Sequence, residues 1–105
     1  MNDALATLPA VDDDGFMLDP HAWDEGVAQR LARIDGLNAL TNEQMEILHC
    51  LREVYFRSGG LPALPHVCHL KGRSPVCLSE LFPGARVAWR LAGLPNPGEE
   101  AKAYM

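Results

Sequence analysis

Thr41-Asn42-Glu43-Gln44 is a capping box, in which Thr41 and Gln44 can satisfy each other's backbone donors. It opens a helix that Ser58-Gly59-Gly60 stops. Met45, Leu48, Leu51 and Tyr55 recur along one face of that helix, and Ile47, Cys50 and Val54 form a second apolar strip beside it. A helix apolar over this much of its circumference needs neighbours on several sides, which places it at the centre of a core. A chain of 105 residues can build one such core and not two.

The flanks are cut short by their own punctuation. Asp12-Asp13-Asp14-Gly15 reads as a turn, because Asp tolerates turn geometry and Gly supplies positive φ. Phe16-Met17-Leu18 suits a strand that would pair with residues Thr7 to Val11 in a hairpin. Asp19 and Pro20 make a cap and first position, and Trp23, Val27, Leu31 and Ile34 then predict one helix ended by Gly36. Beyond the central helix, residues 61–65 are proline-rich and irregular, and 65–70 read as a short helix. Ser74-Pro75 starts another over Val76 to Phe82, and Pro83-Gly84 breaks it. Ala85 to Ala92 is a further helix with Val87, Trp89 and Leu91 inward, ended by Gly93. The expected fold class is α+β and mostly helical: a small N-terminal β-hairpin on a bundle of about five short helices. Residues 1–98 form the domain, and 99–105 are expected to be a mobile tail.

The chain is 48% hydrophobic and 22% charged, which fits a globular protein and not a disordered one. Its net charge of -5 argues against a protein that coats nucleic acid. The first ten residues lack the basic and long apolar segments of a targeting signal, and no apolar run approaches a membrane span, so a cytoplasmic location is expected. The charge is uneven. Residues 1–25 hold seven acids and no Lys or Arg, whereas 59–98 carry Lys71, Arg73, Arg86 and Arg90 against Glu80. A solvated surface accounts for this; a basic docking face for an acidic partner is the sharper reading.

Three cysteines cannot form a complete disulfide framework, and Cys50, Cys68 and Cys77 read as free thiols of a reducing compartment. Cys50 reads as a small core hydrophobe. His66, Cys68, His69 and Cys77 are zinc or copper donor types, but they contain no Cys-x-x-Cys pair, and Cys68 and Cys77 lie on different short helices, so no metal or other cofactor is expected. The Asp12–Gly15 cluster lacks the ligand alternation and closing Glu of a calcium loop. No phosphate-binding loop or nucleophile elbow is present. Residues 75–92 have helix-turn-helix proportions, with Arg86 and Arg90 on one face, a weak footprint for reading DNA.

Several landmarks occur in a fixed order: Asp14-Gly15-Phe16, Trp23, Leu40-Thr41 with Glu46, Leu51-Arg52-Glu53-x-Tyr55, Leu81-Phe82-Pro83-Gly84, and Ala92-Gly93-Leu94-Pro95-Asn96-Pro97. Over residues 13–97 this pattern resembles the DsrC/TusE family of small sulfur-carrier proteins. The resemblance implies a short β meander packed on helices, and sulfur carried as a persulfide on the penultimate cysteine of a C-terminal arm. In the sulfite-reductase branch a second cysteine on the preceding helix joins that chemistry; the TusE branch passes sulfur towards tRNA thiolation.

The carry-over stops at the reacting atoms. The tail cysteine would fall near Glu100 and the second family cysteine at Trp89; Met45 stands at an aromatic position and Cys68 at a basic one. A carboxylate cannot hold a persulfide. The expected function is therefore a divergent, non-catalytic member that docks with or regulates sulfur-transfer or sulfite-reductase partners, with Lys71, Arg73, Arg86 and Arg90 as contact residues. The alternative is a carrier with a relocated thiol, for which Cys68 is the candidate, beside Lys71, Arg73 and nearby histidines. A DNA-binding regulator is the third reading.

Overall fold

The computed structural model describes residues 8–59, 64–103 and 105. Its helices are α1 (Glu25–Ile34), α2 (Asn42–Ser58), α3 (Leu64–Leu70), α4 (Cys77–Leu81), α5 (Ala85–Leu91) and α6 (Glu99–Lys102), with a 3-10 turn at Pro20–Ala22 before them. The central helix forms as its sequence dictates. Thr41 Oγ1 accepts from the Gln44 N–H at 3.1 Å, Gln44 Oε1 accepts from the Thr41 N–H at 2.8 Å, and Gly59 ends the helix in the left-handed region at φ 79°. Helix α2 packs on α3 and α5, α1 packs on α5, and α4 joins α3 to α5. Ile47, Leu48, Leu51, Trp89, Leu91 and Leu94 are almost completely buried at the centre.

The N-terminal hairpin is not formed. Among the described residues only one antiparallel bridge, Val11 to Met17, remains of it; Thr7 lies outside them. Pro9 has no N–H to offer a ladder. The Asp12 carboxylate takes the amides of Asp14 (2.9 Å) and Phe16 (3.0 Å) and closes the turn, and the backbone pairs across it only from Asp12 N–H to the Phe16 carbonyl (2.8 Å) and from Leu18 N–H to the Ala10 carbonyl (3.1 Å). Phe16 and Met17 still bury fully, as core plugs and not as a strand.

The helix expected from Asp19 to Gly36 is two pieces. Asp19 caps the 3-10 turn by accepting from His21 N–H (2.9 Å), and Asp24 caps α1 by accepting from Val27 N–H (2.8 Å). Two caps five residues apart compete, and the extended backbone between them turns Trp23 inward. Ile34, expected to face the core, is 66% exposed. Beyond Ile34 the chain is clamped to α1 by Gln29, whose Oε1 accepts from Leu40 N–H (2.7 Å) and whose Nε2 donates to the Leu40 carbonyl (3.2 Å). Helix α4 begins later than Ser74-Pro75 suggests, and Ser74 Oγ instead receives the Val76 N–H.

Residues 99–105, expected as a tail, include a helical turn placed on the N-terminal turn. Lys102 Nζ donates to Asp14 (2.6 Å) and Glu99 (2.8 Å), Arg86 Nη2 donates to the Lys102 carbonyl (2.7 Å), and Asn96 donates to Asp12 (3.0 Å). The hydrogen bond to Asp14, and then that to Glu99, raise the Lys102 pKa; the Asn96 amide, helped by the Phe16 and Asp14 N–H groups, holds Asp12 below the usual 3.8. A raised lysine contributes fully below its ordinary 10.5 and loses that contribution as pH climbs through the raised value. A lowered carboxylate contributes above its ordinary value and fails as pH falls through the lowered one. The seating of residues 99–102 is therefore expected to be constant from about pH 5 to pH 9 and to loosen outside that window. Amide exchange at Lys102 and Ala103, followed by NMR across pH, checks this; protection that changes steadily through neutrality contradicts it.

Candidate functional site

The family landmarks converge on one junction around Arg52. Trp23, freed by the break before α1, donates from Nε1 to the Leu91 carbonyl (2.8 Å). Arg52, on the middle of α2, donates from Nη1 to the Ala92 carbonyl (3.0 Å) and from Nη2 to the Pro20 carbonyl (2.9 Å). Its guanidinium lies 4.3 Å from the Trp23 ring and 5.1 Å from the Phe56 ring. The His21 ring stacks on the other aromatic of the group, Phe56, at 5.2 Å. Burial lowers the Arg52 pKa, yet a guanidinium stays cationic at physiological pH. Gly93, at φ +71°, is needed twice over: its backbone is left-handed, and a Cβ there would overlap Trp23. Trp89 completes the motif from below, donating to the Pro95 carbonyl at 2.7 Å.

Beside this junction lies an open cleft of about 420 Å³ lined by Glu46, His49, Cys50, Arg52, Glu53, Phe56 and Lys71. Cys50 sits in its wall, 6% exposed and unbonded, and desolvation pushes its thiol pKa up. Lys71 reaches the cleft from the α3–α4 loop, and its charge acts in the opposite direction on the thiol. His49 closes one side, with Nε2 2.6 Å from Glu25 Oε2.

The sequence candidates are dispersed. Cys68, expected as a free thiol and the candidate relocated carrier, is fully buried and bonded to Cys77, with Cα atoms 5.7 Å apart; the reading of three free thiols is corrected to one. Apolar burial of both sulfurs between α3 and α4 brings them together, a contact that their spacing of nine does not announce. Among the described residues no three His, Cys, Asp or Glu side chains are placed to hold a metal ion. Arg73 pairs with Glu43, Arg90 with Asp35 (3.1 Å), and Arg86 with the Lys102 carbonyl. Three of the four expected docking cations thus have partners within the chain, and they point to three different elements. Lys71 is exposed and makes no ion pair among the described residues. With Arg86 and Arg90 engaged and Trp89 and Leu91 buried, α5 offers no support for DNA reading.

Of the positions where the resemblance puts sulfur chemistry, Trp89 is 1% exposed in the core and Glu100 is exposed on α6. Met45 is buried. What the sequence reading missed is Arg52 as the tie between three segments and the cleft that Cys50 and Lys71 share. The run Leu51-Arg52-Glu53 did carry a signal: an arginine inside an apolar stripe must bring its own acceptors. No helix of the described residues is long and apolar enough to cross a membrane.

Comparison with known proteins agrees with this architecture. The family model described as "DsrC like protein" matches residues 6–99. The sulfurtransferase TusE homolog of Haemophilus influenzae is 31% identical over 98 residues, covering 84% of this chain and 88% of its own. Sulfurtransferase TusE of Pectobacterium atrosepticum is 34% identical with the same coverage. The crystal structure of the oxidized gamma-subunit of dissimilatory sulfite reductase (DsrC) from Archaeoglobus fulgidus superposes with a TM-score of 0.74 at 32% identity, covering 87% of this chain and 90% of that one. The solution structure of Allochromatium vinosum DsrC gives 0.69 at 37% identity, covering 86% and 88%. With the Trp23–Arg52–Gly93 junction built from the landmark residues and a family match over nearly the whole chain, the protein belongs to the DsrC-like family.

Proposed function

We propose that this chain serves sulfur relay as a docking or regulatory member of its family, presenting the family scaffold to sulfur-transfer or sulfite-reductase partners without carrying sulfur on its tail. The observation that supports this most is the glutamate at position 100, where the resemblance calls for the carrier cysteine. Trp89, in the core where the second family cysteine would stand, supports it further. The alternative, persulfide carriage at Cys68, would require its bond to Cys77 to open and its sulfur to come out of the core.

Loading the purified protein from a persulfide donor, followed by mass mapping of the adducts, tests the reading. Substoichiometric labelling of all three cysteines is expected, and Glu100→Cys is expected to gain an adduct at the new thiol. A stoichiometric persulfide on Cys50, Cys68 or Cys77 of the unaltered protein would overturn it.

A further inference from the structure

The Cys68–Cys77 bond lies outside the junction and holds two very small elements. Helix α3 has seven residues and α4 has five. Each has only two buried side chains: Val67 and Cys68 in α3, Cys77 and Leu78 in α4. Leu64 and Leu81 pack partly buried beside them, and Gln44 Nε2 donates to the Leu81 carbonyl (2.6 Å), so one of the two buried side chains of each helix is a half-cystine. The residues at the rim of the corner, Leu70 and Val76, are 48% and 56% exposed, so solvent reaches the loop that the bond closes. Within that loop Lys71 N–H and Arg73 N–H both donate to the Cys68 carbonyl, at 3.1 and 2.9 Å. The backbone carrying Lys71 is thus fixed to one end of the disulfide. Lys71 is also the loop's contribution to the wall of the cleft that contains Cys50.

From this arrangement we propose that the Cys68–Cys77 pair is a reversible redox latch on the α3–α4 corner, and that its opening uncovers Cys50. The reductant is a dithiol. One of its thiolates attacks a sulfur of the buried bond during local opening of the rim and forms a mixed disulfide; its second thiolate displaces that sulfur. The dithiol is oxidised to a disulfide, two electrons pass to the pair, and Cys68 and Cys77 each end with a proton. The reduced corner keeps Val67, Leu78 and the partly buried Leu64 and Leu81 as anchors but loses its covalent constraint, so the loop moves and Lys71 leaves the cleft wall. The latch rests on observations separate from the docking reading above and holds whether or not this chain carries sulfur.

The experiment compares the rate of Cys50 alkylation by iodoacetamide in oxidised and in dithiothreitol-reduced protein, with reductant removed and adducts assigned by peptide mass. Opening a short covalently closed loop is expected to raise the Cys50 rate about tenfold or more, with helix content by circular dichroism essentially retained. The Cys68→Ser/Cys77→Ser double variant is expected to show the fast rate without reductant. Three results would each overturn the proposal: no Cys68–Cys77 peptide in the oxidised protein, a Cys50 rate unchanged within twofold after complete reduction, or loss of the whole fold on reduction. Should the double variant not fold, the wild-type comparison alone decides. Persulfide loading reads sulfur transfer rather than access, so a failure of either reading is distinguishable from a failure of the other.

Discussion

Gly93→Ala is expected to lower the free energy of unfolding by about 3 kcal/mol, the sum of left-handed strain near 1 kcal/mol and overpacking of roughly 2 kcal/mol. The internal control is Gly36. Both glycines are left-handed, with φ of +80° at Gly36 and +71° at Gly93, but nothing lies within 4 Å of a Cβ built at Gly36. A Cβ at Gly93 would stand 2.6 Å from Trp23 Cγ and 2.8 Å from its Cβ. Gly36→Ala therefore measures the backbone cost alone, expected at about 1 kcal/mol, and the difference between the two variants isolates the overlap. Urea denaturation of both proteins provides the numbers. If the two substitutions cost the same, Trp23 does not press on Gly93 as described. Adding Trp23→Ala to Gly93→Ala removes the overlap, so the double variant is expected to lose less than the sum of the two single losses.

Arg52→Ala is the second large loss, again expected at about 3 kcal/mol. Two charge-assisted hydrogen bonds disappear, to Pro20 and Ala92, together with a cation held against two aromatic rings. The carbonyls left behind are part of a packed junction and regain water incompletely. Arg52→Lys is expected to recover less than half of the loss, since a single ammonium cannot reproduce a planar fork that serves two separate acceptors while stacking on a ring. Denaturation curves for the two variants decide the matter. A lysine variant as stable as wild type would mean that only the charge matters.

How far the sequence speaks depends on the range of the forces involved. The capping box at Thr41 and Gln44, the left-handed stop at Gly59 and the burial of Cys50 were legible because each is decided within one or two turns of helix. Of the expected hairpin only the turn end pairs: the Asp12 carboxylate takes the amides of Asp14 and Phe16, a choice the strand pattern does not record, and two backbone bonds, Asp12 N–H to the Phe16 carbonyl and Leu18 N–H to the Ala10 carbonyl, flank the Val11–Met17 bridge without making a strand. The first helix was misread because Asp19 and Asp24 are both good caps, and the tie is broken only by the Leu91 carbonyl, 68 residues away, which draws Trp23 out of helical register. Arg73, Arg86 and Arg90 looked like a surface set because spacing cannot see Glu43, Lys102 and Asp35, the partners that long side chains find after the chain has folded. The landmark residues pointed to the family without disclosing what joins them; the junction does, since Trp23 packs on both Gly93 and Arg52.

That junction also fixes the grain of the protein's cooperativity. Its acceptors belong to residues 20, 91 and 92, while its donors belong to residues 23 and 52. No contiguous fragment that stops short of Ala92 contains a complete set, and none that begins after Trp23 does either. The early and late thirds of the chain are thus joined through the middle of α2, and the junction closes only with all three segments present. Stability here is held in common by distant stretches of sequence.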